Sequence, residues 1–280
     1  MILDMHIHVN KVEVDHATLV GKMRAQGVDG GVLLSLPPAS MTQIFRSPAD
    51  AQFRLDNLRA WCGGKGMHGQ DGGLYGFYWI DPTEPDAAKQ VETAAKAGVA
   101  GFKVIANHFY PGDSRAMPTY HAIAEHNKPL LFHSGILWDG TNSSKYNRPA
   151  EFEAMLDVPA LRFALAHISW PWVDECLAVY GKIINTAARV ADKKICQMFI
   201  DVTPGTPPIY RSEALTKIFT IGYKVEDNVL FGSDSTTTWY AADWVPPLVA
   251  RDNAIYDTLG LSAAVREKIY QKNLQRFMGV

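Results

Sequence analysis

The 280-residue chain has little cysteine. Cys62, Cys176 and Cys196 are odd in number, far apart and in no Cys-x-x-Cys pair, so neither a disulfide framework nor a thiolate zinc site is expected. Reduced, structural thiols in a cytoplasmic protein are the simplest reading. Charge of one sign is not in excess, with 27 Lys and Arg against 29 Asp and Glu for a formal net charge of −2. Nucleic-acid binding usually needs a basic patch or stripe, so that class is not favoured. No run of like charges suggests a tail. No apolar run reaches the roughly 18 residues of a membrane span. The opening Met1-Ile2-Leu3-Asp4 has no basic stretch before an apolar one, so a secretory leader is not expected.

The chain does have core-forming residues, 47% hydrophobic against 20% charged, which argues against disorder. Short apolar runs recur along it: Ile2–Val9, Gly31–Leu36, Leu74–Ile80, Gly101–Ile105, Pro129–His133, Arg162–His167, Gln197–Val202 and Asn228–Asp234. Several are almost continuously apolar and bounded by Gly, Pro or Asn, as buried parallel strands are. Helical patterns lie between them: Ala17–Gln26, Pro48–Trp61 behind Ser47 as N-cap, Glu84–Ala97 ending at Gly98, Met117–His126, Pro149–Leu156, Trp172–Val190, Arg211–Ile221, Val245–Leu259 and Ser262–Met278. Eight strand-then-helix units predict an α/β fold, a single-domain (β/α)8 TIM barrel over residues 1–280; closure is inferred from the count, and an open doubly wound sheet is the competing arrangement. Two connections are long, Pro37–Gly73 after the second strand and Ser134–Arg148 after the fifth. Loops after barrel strands lie on the catalytic face, so both are expected to form lids or substrate walls. Gly63-Gly64-Lys65-Gly66 follows no strand directly and lacks a Lys-Ser/Thr pair, so it reads as a flexible loop rather than a phosphate cradle.

The first strand reads Asp4-Met5-His6-Ile7-His8. Strict alternation would put Asp4, His6 and His8 on one face, the histidines about 7 Å apart at Cα, close enough to share one ion. Asp4, deeper on that face, would accept a ligand's second ring N–H. His-x-His alone is weak, because two histidines at a polar strand end need bind nothing. Three further apolar runs, however, close on a polar residue: Leu131-Phe132-His133, Leu165-Ala166-His167 and Phe231-Gly232-Ser233-Asp234. Barrel strand ends converge on one mouth, so four histidines and one aspartate would meet there, and an N/O cluster of that kind suits zinc, with iron, manganese and nickel as alternatives. A metal-free acid–base site and a hydrogen-bonded polar core compete with that reading. Lys103, on the fourth strand, has three readings: a point charge for a substrate carboxylate, a carbamylated bridge between two metals, or a side chain reaching solvent.

The combination of Asp4-Met5-His6-Ile7-His8, Gly101-Phe102-Lys103, Leu131-Phe132-His133-Ser134-Gly135, Ala166-His167, Phe231-Gly232-Ser233-Asp234-Ser235 and the closing Asn273-Leu274-Gln275-Arg276-Phe277 resembles the amidohydrolase superfamily, in its amidohydrolase-2 branch. The resemblance implies one divalent ion, zinc first, held by His6, His8, His133 and Asp234, with a metal-bound water activated for attack. It implies His167 as general acid/base, or as an electrostatic clamp on the substrate, rather than a ligand, and Asp234 as a second proton acceptor. The implied activity is hydrolysis of a small, carboxylate-bearing molecule; the branch also contains decarboxylases and hydratases, so the fold does not decide the reaction. Lys103, His108 and Trp170 are the expected substrate contacts; Tyr110, Trp138, Ser169, Arg46 and His68 are second-tier candidates in the loops near the mouth, with ordinary loop packing as the competing reading. The competing accounts are a two-metal enzyme with carbamylated Lys103 and His167 on the second ion, a related metal-dependent DNase, and a barrel that has lost catalysis and only binds. The expected partner is a small-molecule substrate, with no nucleic acid and no membrane, and a homodimer is compatible with the 11% aromatic content.

Overall fold

All eight apolar runs become strands, each ending a residue or more early, and the second begins one residue before its expected start. In a computed structural model, which describes residues 1–41, 48–190 and 194–280, the strands are β1 (Leu3–His8), β2 (Gly30–Leu34), β3 (Leu74–Trp79), β4 (Gly101–Val104), β5 (Leu130–Phe132), β6 (Arg162–Leu165), β7 (Gln197–Asp201), β8 (Val229–Leu230) and an added β9 (Ser235–Thr236). All pairings are parallel, and β1 through β8 each pair with their neighbours in sequence. β9 pairs with the far side of β1, Ile7 opposite Ser235 and His8 opposite Thr236. The Met5 N–H donates to the Phe231 carbonyl at 2.9 Å. Two short strands therefore share the eighth position, β8 against β7 and β9 against β1, and the sheet closes on itself. This is the (β/α)8 barrel expected from the count, not an open sheet.

The crossovers are α1 (His16–Ala25), α2 (Ala51–Trp61), α3 (Ala87–Lys96), α4 (Met117–Glu125), α5 (Val173–Arg189), α6 (Pro208–Thr220), α7 (Val245–Thr258), α8 (Ala263–Glu267) and α9 (Asn273–Met278). α2 starts later than the Ser-Pro pattern predicts, because Asp50 is its cap and accepts from the Phe53 N–H at 2.9 Å. Pro48 precedes the helix, and Ser47 lies outside the described residues. Residues Pro149–Asp157 form a 3₁₀ helix rather than an α-helix. The last predicted helix is divided by a π turn at Lys268–Lys272, between α8 and α9. Among the described residues no helix is long and apolar enough to cross a membrane.

Alternation along the strands sorts side chains into two cores. Ile7, Leu33, Tyr78, Phe102, Phe132, Phe163, Ile200 and Phe231 pack outward against the helices. Leu3, Met5, Val32, Phe77, Leu131, Ala164, Phe199 and Leu230 pack together inside the barrel, with Leu274, Phe277 and Met278 of α9 closing them off. Strand β1 breaks the expected alternation. Asp4 pairs with Gly31 and Ile7 with Leu33, three residues against two, so a bulge falls between them. Leu3 and Met5 therefore join the inner core before the bulge, while His6 and His8 line the barrel mouth after it. Asp4 is displaced from the histidine face and does not share it as strict alternation predicts.

Candidate metal centre and cavity

One cavity of about 170 Å³ opens at the carboxyl ends of the strands, and His6, His8, Lys103, His133, His167, Asp234 and Trp170 all line it. All but Trp170, which follows the turn after β6, arrive by the same local rule: an apolar strand buries its run and an inward position near or just past its end carries a polar group. His133 follows β5 directly, His167 lies two residues past β6, and Asp234 lies between β8 and β9.

The donors converge. His6 Nε2 and His8 Nε2 are 3.2 Å apart. Asp234 Oδ1 is 3.3 Å from His8 Nε2 and 3.7 Å from His6 Nε2. Ligands at 2.0–2.1 Å from a tetrahedral ion sit about 3.3 Å from one another. His6, His167 and Asp234 also bring one ligand atom each within 4.8 Å of each other. The two triads share His6 and Asp234; each is compatible with metal binding, and the first is the more closely spaced. His133 stands beside them, its ring 4.9 Å from that of His167 and its Nε2 3.2 Å from the Ile136 carbonyl. The geometry thus brings His167 into the donor group with His6 and Asp234, while the expected ligand His133 meets it through the His167 ring.

Burial, then the nearby His6, brings the His167 imidazole down to about 3. Burial, then His167 and Lys103, holds His133 well below the usual histidine range. Both rings are therefore neutral near pH 7 and keep a lone pair for a metal or a proton. His167 Nδ1 is 3.0 Å from the Pro204 carbonyl, which as an acceptor fixes the proton on Nδ1 and leaves Nε2 bare.

The turn carrying His167 is conformationally costly. His167, Ile168 and Ser169 have φ of 62°, 51° and 55°, and Asp234 has φ of 58°. Left-handed backbone at non-glycine residues persists only where the surroundings dictate it, and it clusters at functional sites. Here Ser134 Oγ bonds the Ala166 carbonyl at 2.7 Å and lies 2.8 Å from Ser169 Oγ. Gly205 seals the other side, since a Cβ there would come 2.7 Å from His167 Cβ.

The two long connections contribute differently. Ile136, Leu137, Trp138 and Asp139 of the loop after β5 form one wall. Asn147 bonds the Ala106 carbonyl at 2.7 Å, and Ser144 Oγ accepts from the Leu137 N–H at 3.1 Å, so the wall is braced on both sides. In the connection after β2, Met41 packs behind the cavity with Trp79 and Ile105. None of that connection's described residues lines the cavity. Trp170 lines it as expected, but His108 does not. The His108 ring is 44% exposed and turned to Thr83 Oγ1 at 3.3 Å and Asp81 Oδ2 at 3.5 Å. Tyr110 packs against Tyr146, and His68 Nε2 lies 3.4 Å from Lys128 Nζ. Arg46 lies outside the described residues.

Two buried carboxylates differ from expectation. Asp4 reaches no histidine ring. It accepts from the His6 N–H at 3.0 Å, the Ser233 N–H at 2.9 Å, the Ser233 hydroxyl and the Tyr240 hydroxyl at 2.9 Å. The carboxylate behind the His6 ring is instead Asp201, the last residue of β7, whose Oδ2 is 3.0 Å from His6 Nδ1. Asp201 was open to discovery by the same rule that found His133, a polar residue ending an apolar strand. It was hidden because Val202 carries the run one residue further.

A barrel whose strand ends gather histidines and an aspartate around one cavity carries its ionisable groups at the face where barrel enzymes place their active sites. A family model described as amidohydrolase matches residues 3–280, and the chain belongs to this amidohydrolase-2 family. Solved relatives include a 5-carboxyvanillate decarboxylase, LigW, from Sphingomonas paucimobilis, at 15% identity and TM-score 0.64 over 100% of this chain and 99% of that one. An amidohydrolase II from a structural genomics programme matches at 17% identity and TM-score 0.67, covering 100% of both chains. An amidohydrolase from Burkholderia multivorans with bound HEPES matches at 12% identity and TM-score 0.66, over 100% of this chain and 99% of that one. At these identities the likeness is one of fold. No curated protein matches the chain.

Proposed function

We propose that the chain is a metal-dependent hydrolase of a small, carboxylate-bearing molecule. The observation that carries this is the mutual approach of His6, His8 and Asp234 to within 3.7 Å, on the wall of a cavity that also holds Lys103. His6, His8 and Asp234 would hold one divalent ion, zinc by the N/O character of the set, with His133 completing it. Such an ion, when bound, polarises an acyl oxygen and eases the ionisation of water.

The protein's own groups do the rest. Lys103 is fully buried in β4 and faces the cavity, where its ammonium is placed to hold a carboxylate as a point charge. His167 presents a bare Nε2, so it enters the reaction as a proton acceptor and returns that proton to the leaving group. Asp234, 34% exposed, is the second proton acceptor at the solvent side. Ile105, Leu137 and Trp170 form an apolar wall that excludes water. The cavity volume limits the enclosed part of the substrate, since about 150 Å³ accommodates one benzene-sized ring.

The apolar wall beside Lys103 also favours a second reading, non-oxidative decarboxylation. A carboxylate taken out of water loses stabilisation that its CO2 product does not need, and the carbon left behind takes a proton from a neighbouring acid. Scoring released CO2 against released acid over a panel of small carboxylic esters, lactones and aromatic acids separates the two. Metal analysis of the purified protein should give about one ion per chain; two would favour the binuclear account with Lys103 carbamylated. His133→Ala is expected to lose the ion, and His167→Ala to keep it while losing activity by roughly 10²–10⁴-fold. The reverse pattern would exchange the roles of the two histidines, and loss of metal in both would make His167 a ligand too.

A further inference from the structure

We infer that Asp201 is a positioning residue that holds His6 as its Nδ1–H tautomer and so aims the Nε2 lone pair into the donor cluster. Asp201 is fully buried at the carboxyl end of β7. Its two oxygens have separate tasks. Oδ1 accepts from the Thr203 N–H at 2.8 Å and from the Thr203 hydroxyl. Oδ2 lies 3.0 Å from His6 Nδ1. A carboxylate only accepts, so the proton of that bond belongs to the imidazole, and Nε2 is left with a lone pair. That lone pair faces His8 Nε2 at 3.2 Å and Asp234 Oδ1 at 3.7 Å. Asp4, two residues before His6, is engaged by Ser233, Tyr240 and the His6 main chain instead.

The arrangement is clamped from a third strand. A side chain at Gly232, just past β8, would strike Thr203 Oγ1 and come 3.0 Å from His6 Cβ. Glycine at 232 is what lets Thr203 press between β8 and Asp201. Ring orientation, tautomer and backbone are thus set together by β1, β7 and the segment after β8. A carboxylate behind a ligating histidine fixes its orientation and raises its basicity, and its loss typically weakens metal binding 10–100-fold.

The purpose of this device rests on the metal-centre reading above, but the tautomer itself does not require a metal. The test therefore has two arms. In metal-free, ¹⁵N-histidine-labelled protein, long-range ¹H–¹⁵N spectra, with His6 assigned from a His6→Gln variant, should show His6 protonated at Nδ1 and bare at Nε2. In Asp201→Asn the amide oxygen stays with the two Thr203 donors, so the NH2 faces His6 Nδ1 and selects the opposite tautomer. An Asp-to-Asn change behind a catalytic histidine has that effect in serine proteases. Zn²⁺ competition with a chelator should then show affinity lower by about 10–100-fold. A wild-type His6 carrying its proton on Nε2 overturns the inference, as does an Asp201→Asn protein with unchanged tautomer and Zn²⁺ affinity. The wild-type spectrum needs no variant, so the inference stays refutable even where Asp201→Asn fails to fold. Should the tautomer reverse as expected while wild-type protein takes up no Zn²⁺, the positioning role of Asp201 stands and the metal reading falls.

Discussion

The lower and upper halves of the barrel interior are built on the same strands and obey opposite rules. Leu131 lies below His133 on the same face, Phe199 below Asp201, and Gly101 below Lys103, each pair two residues apart. Below, the interior is apolar and closed, with Phe277 of α9 set 4.9 Å from Phe199 and 6.2 Å from Phe77. Above, His6, His8, Lys103, His133, His167 and Asp234 face the cavity, and the backbone is left-handed from His167 to Ser169 and at Asp234. The lower half is a packed plug whose loss costs stability. The upper half spends some of that stability on polar burial and strain, as sites do that must present chemistry in a fixed geometry.

Substitutions in each half should therefore fail in different ways. Phe277→Ala removes the plug, and urea unfolding should show a loss of about 3–5 kcal/mol. The protein that remains native should bind Zn²⁺ as wild type does; altered affinity at unchanged fold would mean the halves are not separable. Asp234→Asn is the upper counterpart. Asparagine tolerates the left-handed backbone at this position, so the melting temperature should stay within about 2 °C. Turnover should nevertheless fall by roughly 10²–10³-fold, and retained activity would remove Asp234 from the site. Gly205→Ala probes the boundary, because its new Cβ presses on His167. About a tenfold loss in kcat/KM is expected with a stability change near 1 kcal/mol. If stability fell without any change in kcat/KM, the packing of His167 against residue 205 would be structural only.

Most of the barrel was legible because buried parallel strands write themselves as short apolar runs, and polar residues that end such runs point into the mouth. His6, His8, His133, His167 and Asp234 followed from that rule, and all five line one cavity. What escaped depended on local backbone geometry. The β1 bulge moved Asp4 off the histidine face, and no propensity in Asp4-Met5-His6 announces it. The eighth strand is split into β8 and β9 across Phe231-Gly232-Ser233-Asp234, where Asp234 is left-handed, and the sequence shows the polar end of the run but not the second short strand beyond it. Asp201 was masked by Val202 beyond it. His108 failed as a mouth residue because distance from a strand end in sequence says nothing about which neighbour, here Asp81 and Thr83, captures the ring.

The split eighth strand gives the opening motif a different meaning. Between Leu230 and Ser235 the ladder of main-chain bonds is interrupted, and a seam runs up the barrel wall there. Asp4 crosses it. Its carboxylate takes the Ser233 N–H, the Ser233 hydroxyl and the Tyr240 hydroxyl, all from the far side of the seam. Burial pushes that carboxyl up to about 6 against the pull of those donors. In Asp4-x-His6-x-His8, then, the acid is a stitch that sews the first staff of the barrel to the last, and the two histidines are what the stitch holds in place.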